Sequence, residues 1–128
     1  MSTAQERYAH RAYFETRIRT APAQVLVFEM LRNVGARLLE IERSMAVGLE
    51  PEDWESVAVV LDILGELNGA LRVDVDPWLC ESLSALYAYA AENVLSAVVR
   101  RDVRGICAAR RIIASLIEAT VPTLPALR

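Results

Sequence analysis

Val27, Leu31, Val34, Leu38, Ile41 and Met45 recur at spacings of four, three, four, three and four, a pattern that a strand cannot use. At 3.6 residues per turn these positions form one stripe along an α-helix, whereas a half-buried strand needs strict alternation. Thr20 and Pro22 precede the stripe. The threonine offers a side-chain oxygen to the first free amides, and the proline sits in the first turn, where a missing N–H does no harm. Gly48 is placed to close the helix. Most of the stability of such a helix comes from burying its apolar face, so the rest of the chain must supply a partner.

Three more helical segments follow. Pro51, Glu52 and Asp53 put a proline at a helix start and two carboxylates at the positive end of its dipole. Trp54, Val57, Leu61, Leu64 and Leu71 then read as an apolar stripe, with Asn68 on the same stripe. The turn RVDVD leads to Asp76 as cap and Pro77 as first residue of a third helix running to about Val99. Arg100 and Arg101 read as a loop. Asp102 caps a fourth helix, in which Ile106, Ala109, Ile113 and Leu116 share a face until Pro122 stops it. Four amphipathic helices on short connections predict an all-α, antiparallel four-helix bundle over residues 20–121. A leader over residues 1–19 containing a short helix precedes it, and a tail over 122–128 follows.

Composition narrows the function. A chain of 128 residues is one ordinary domain, and 54% apolar content fits a folded protein. Arg32, Arg37, Glu66 and Arg72 interrupt the greasiest stretches, so none reaches the roughly eighteen apolar residues of a membrane-crossing helix. The opening MSTAQERYAHRAYFETR lacks the apolar middle of a secretory signal, which predicts a cytoplasmic protein without membrane insertion. A net charge of -3 carries no electrostatic footprint for nucleic acid. Cys80 and Cys107 lie too far apart in sequence for a redox pair and read as small buried apolar residues. The single histidine, His10, falls in the polar leader; no Glu-x-x-His pair and no phosphate-binding glycine loop occurs. The expectation is a protein that is not an enzyme and takes no cofactor or metal.

A binding role has better candidates. Tyr87 and Tyr89 lie two positions apart on the third helix, so they point about 200° apart and cannot both face the core. One of them should face a groove or a partner, where a tyrosine ring offers apolar area and keeps its hydroxyl satisfied. Asn68 carries two donors and two lone pairs on an apolar stripe. Either it satisfies a neighbouring helix inside the bundle, the favoured expectation, or it marks where the stripe opens to a peptide. Arg100, Arg101, Arg104, Arg110 and Arg111 crowd the last connection and helix with Asp102 as the one interspersed acid, and read as a solvated face. Tyr8, Tyr13, Phe14 and Ile18 give the leader more apolar area than a solvated tail needs, which suggests that it docks on the bundle.

The run Leu61 to Ala97 resembles the FliS family of flagellin export chaperones. The resemblance rests on Ile63, Leu64, Glu66, Leu67, Asn68 and Leu71, a pattern like I-I-x-E-L-N-x-x-L, then a short acidic turn. Leu83, Leu86, Tyr87, Tyr89 and the small Ala97 complete it, with Ala12-Tyr13, Ile18, Thr20-Ala21 and the run from Met30-Leu31 to Arg37-Leu38-Leu39 matching the family's opening. The similarity covers roughly residues 12–118. It implies a helical bundle that binds the disordered C-terminal region of flagellin, blocks premature polymerisation and hands it to the flagellar type III export gate. The implied partner-binding set is Tyr13, Ile18, Asn68, Leu71, Leu86, Tyr87 and Tyr89, on a monomer or homodimer. A self-associating structural or regulatory bundle is the alternative. Departures from the family pattern stand at Arg32, Val34 and Val98, at the position of Pro22, and at Thr120, where the final helix lacks a tryptophan.

Overall fold

A computed structural model describes residues 23–48, 54–71, 74 and 76–124 of the chain. Among these, four α-helices occur: α1 Ala23–Ala46, α2 Trp54–Gly69, α3 Pro77–Arg100 and α4 Val103–Thr120, followed by a 3-10 turn over Val121–Thr123. The expected bundle is therefore present. The leader, including Tyr8, Tyr13, Phe14 and Ile18, lies outside the described residues, as do Thr20, Pro22 and Pro51 to Asp53.

Each described end has a local cause. Gly48 adopts a φ of 81°, and its N–H donates to the Met45 carbonyl at 3.0 Å, which ends α1 as expected. Asp76 caps α3 by accepting the Leu79 N–H at 3.0 Å, with Pro77 as first helical residue. The α3–α4 connection is only Arg101 and Asp102, so Arg100 and Arg101 do not sit in a loop: Arg100 closes α3, and Arg101 takes the left-handed conformation at φ 55°. The Asp102 N–H then returns to the Ala97 carbonyl at 2.9 Å, a turn that satisfies the end of α3 while the Asp102 side chain caps α4 through the Arg104 N–H. Pro122 falls inside the 3-10 turn just beyond α4, where the missing N–H ends the α-helical ladder.

The helices pack as a ring in which α1 touches α2 and α4, and α3 touches the same two. Connections this short force sequential neighbours to run antiparallel, and side-chain pairing agrees: Glu42 late in α1 meets Cys107 and Arg110 early in α4. Leu31, Val34, Leu38 and Ile41 of α1 interlock at the centre with Val57, Val60, Ile63, Leu64 and Leu67 of α2. Tyr87, Ala90, Val94 and Ala97 of α3, and Ile106, Ala109 and Ile113 of α4, complete the core. Val27, Met45 and Leu116 pack at its margin.

Helices α3 and α4 approach closely at Gly105. A methyl group built on Gly105 would stand 2.5 Å from the Asn93 carbonyl oxygen and 2.8 Å from the Ala97 Cβ. Two small residues facing each other let the helices touch backbone to side chain directly after the two-residue turn.

Candidate functional site

Helix α3 is unusual in what it leaves outside. Cys80, Tyr87, Ala90, Val94, Ala97 and Val98 are buried, yet Trp78, Leu79, Leu86, Tyr89, Leu95 and Val99 are all exposed. Large apolar surface on a helix that already has a buried face means a second surface that water must wet.

That surface divides into two flanks. Leu79, Ser82, Leu86, Tyr89 and Asn93 advance three or four residues at a time and share one flank. Asn93 and Ala97 touch Gly105, so this flank borders α4. On α4, Ile112 lies seven residues beyond Gly105 on the same face, with Leu116 a turn further; both are half-buried against the core. The antiparallel register puts these two alongside the stretch of α3 that carries Leu86, giving an apolar groove with Leu79, Leu86 and Tyr89 along one wall. The opposite flank of α3 carries Leu95 and Val99 and borders α2. There Trp54, Leu61 and Asn68, seven residues apart, occupy the side of α2 turned away from Ser56, whose hydroxyl accepts a bond from Arg37 of α1 at 3.2 Å.

The predicted residues can now be placed. Tyr87 is core, at 5% exposure, and burial raises its hydroxyl above the ordinary value of 10.0. Tyr89 points outward at 55% exposure, so the two tyrosines divide as their spacing requires. Leu86 is exposed at 39% on the α4 flank. Asn68 is exposed rather than satisfied inside the bundle, which corrects its favoured internal role: it shares the outer side of α2 with Trp54 while Leu67 beside it turns inward, and water can serve its amide. Trp54 is likewise no core residue, being 48% exposed, because it lies on the side of α2 turned away from the buried Ser56. Leu71 is half-buried and packs on the core just after α2. Tyr13 and Ile18 lie outside the described residues. Leu86 and Tyr89 are thus brought together on one groove, and Asn68 lies across α3 from them.

Sequence reading missed Trp78, Leu79, Leu95 and Val99. Their signal was available: Leu79 and Leu86 run one residue ahead of Cys80, Tyr87 and Val94, so α3 carries an apolar band wider than one core face consumes.

The α1–α4 seam differs in kind. The Glu42 carboxylate accepts the Cys107 thiol at 3.1 Å and the Arg110 guanidinium through Nε and, at 3.4 Å, Nη2. The thiol and Arg110 together hold Glu42 below its ordinary 4.5, while the same carboxylate, with burial, pushes the Cys107 thiol up. Cys107 is therefore a half-buried hydrogen-bond donor and not the inert apolar filler expected; Cys80 is buried as expected. Arg110 belongs to this seam, which corrects its place on a purely solvated face.

At the far end of the α3–α4 groove, Asn93, Ser96 and Arg100 of α3 and Asp102 and Arg104 of α4's start line a shallow polar pocket of about 340 Å³. Arg104 holds both carboxylate oxygens of Asp102, Nε to Oδ1 at 3.0 Å and Nη2 to Oδ2 at 2.7 Å, which with the backbone bond lowers Asp102 to about 2. Among the described residues no group of three His, Cys, Asp or Glu side chains could hold a metal ion, and no helix is long and apolar enough to cross a membrane.

The family model described as "Flagellar protein FliS" matches residues 4–120, nearly the whole chain. No curated protein and no solved structure matches it.

Proposed function

This chain belongs to the FliS family of flagellar export chaperones, and we propose that its client is flagellin, whose disordered C-terminal region it binds in the cytoplasm. The observation that carries this reading is the exposed apolar surface on both flanks of α3, from Leu79, Leu86 and Tyr89 on one side to Leu95, Val99 and Trp54 on the other. A client segment that folds against these flanks removes their apolar area from water, and amphipathic helices laid into grooves do this with anchors one helical turn apart. Ordering a disordered client costs free energy, so the complex stays releasable. Covering the client's own apolar face blocks premature polymerisation, and release at the flagellar type III export gate frees it for assembly. No bond in the client needs to be made or broken.

Co-expression with the flagellin C-terminal region followed by size exclusion tests this. The expected result is a one-to-one complex that Leu86→Ser with Tyr89→Ser abolishes while thermal unfolding is little changed. Separate elution at micromolar concentration overturns it, and a homodimer mass unaffected by flagellin supports instead the self-associating bundle.

A further inference from the structure

We infer that the polar pocket at the α3–α4 turn receives the terminal carboxylate of the client chain, so that a client helix in the adjoining groove lies parallel to α3. This rests on the flagellin reading above and fixes the polarity of docking.

Continuity is the first argument. Leu79, Leu86 and Tyr89 lie on the same flank of α3 as Asn93, and that flank runs without a break into the pocket lined by Asn93, Ser96 and Arg100. The Asn93 side-chain amide donates to the Tyr89 carbonyl at 2.8 Å, which ties the groove's last apolar anchor to the pocket's first polar residue. From Leu86 to Arg100 the helix rises about 21 Å, so a client helix of four turns seated on Leu86 and Tyr89 brings one of its ends to Arg100.

Charge decides which end. Asp102 is already occupied, since its carboxylate is gripped by Nε and Nη2 of Arg104 and by the Arg104 backbone N–H. That leaves Nη1 of Arg104 and the exposed Arg100 guanidinium on the two residues that line the pocket with Asp102, a net charge of one positive unit from two arginines and one aspartate. The C-terminus of α3 and the Asp102-capped N-terminus of α4 meet here with opposite dipole ends, so the two arginines set the sign of the pocket. A client helix presents its negative dipole end and its free carboxylate at the C-terminus, and a planar guanidinium matches a carboxylate through paired N–H bonds. The reverse polarity would set a positive helix end against Arg100.

The same arrangement gives the pocket a means of reading where a chain stops. An apolar segment inside a longer chain fills the groove but brings no carboxylate, so a true chain end binds more tightly than an internal copy of the same sequence.

The test uses the full chain and two synthetic peptides covering the flagellin C-terminal region, one with a free terminal carboxylate and one with a terminal amide. The carboxylate form should bind roughly tenfold more tightly, the size of one charge-assisted hydrogen bond. Arg100→Gln should erase the difference by weakening the carboxylate form alone. Arg111→Gln, which removes the same charge from outside the pocket, should preserve it. Arg100 is exposed at a helix end, and circular dichroism melts of both variants establish that they fold. Equal binding of the two peptides, or an equal loss in both arginine variants, overturns the inference while leaving the flagellin reading intact. Failure of both peptides to bind overturns the flagellin reading and the inference together.

Discussion

The seam between α1 and α4 and the two flanks of α3 are built from the same kind of amphipathic helix and end in opposite states. Along the seam the boundary of the core is closed by chemistry: Glu42 holds Cys107 and Arg110 across the two helices. On α1 the buried Leu31, Val34, Leu38 and Ile41 give way to exposed Arg32, Glu40 and Arg43. On α3 the boundary is left open, with Trp78 at 75% and Val99 at 74% exposure beyond a core face that is already filled. A bundle needs one buried stripe per helix, and α3 has apolar area left over. The difference marks where the fold's own packing ends and the surface proposed for the client begins.

The comparison breaks most visibly if core and flank respond alike to truncation. Leu38→Ala and Leu64→Ala remove fully packed side chains and should each cost roughly 2 to 5 kcal/mol. Tyr89→Ser and Val99→Ser, which touch mainly water, should stay within about 0.5 kcal/mol of the parent. Denaturant unfolding of the four variants decides it, and similar losses in all four would mean that the faces of α3 are misassigned.

A smaller effect is expected where α3 meets α4. Gly105→Ala places a methyl group within 3 Å of the Asn93 carbonyl and Ala97, so the helices must part, at roughly 1 to 3 kcal/mol. Because the same movement widens the groove beside Leu86, client affinity should fall with stability, unlike in the flank variants, where affinity falls alone. Binding isotherms at a temperature where the variant is folded separate the two patterns.

The closed seam should matter less than its hydrogen bonds suggest. Arg110 is partly solvated, so Glu42→Gln is expected to cost no more than about 1 kcal/mol at pH 7. Glu42 titrates below its ordinary 4.5 in the folded protein, so its contribution is complete above that value and fades as the pH falls through the folded one. Melts of parent and variant should therefore converge as the pH is taken below that folded value, a trend absent from Val99→Ser.

The smallest change expected is a gain. Arg101 holds a left-handed conformation that costs a side-chain-bearing residue free energy, so Arg101→Gly should stabilise the chain by about 0.5 to 1 kcal/mol. Scanning calorimetry reads it as a small rise in Tm.

Much of this protein is legible in the order of its residues. The stripe of α1, the caps at Asp76 and Asp102, the stop at Gly48 and the inward face of α4 follow from helical periodicity and from which residues satisfy free amides and carbonyls. These are local rules, and each acts within a turn or two of chain. The run containing Asn68, Leu86, Tyr87 and Tyr89 also carries the family, and Tyr87 and Tyr89 had to divide between core and surface. Which of them went inside is not local. It depends on where α2 and α4 come to rest against α3, and so does the outward turn of Trp54 and Asn68. The meeting of Glu42 with Cys107 and Arg110 joins positions 65 and 68 residues apart, and the contact of Gly105 with Ala97 depends on the tight turn at Arg101 and Asp102 that folds α4 back on α3. Periodicity states how much of a helix is apolar; only the packed neighbours decide how much of that apolar surface they cover, and what they leave uncovered on α3 is the surface from which function is read.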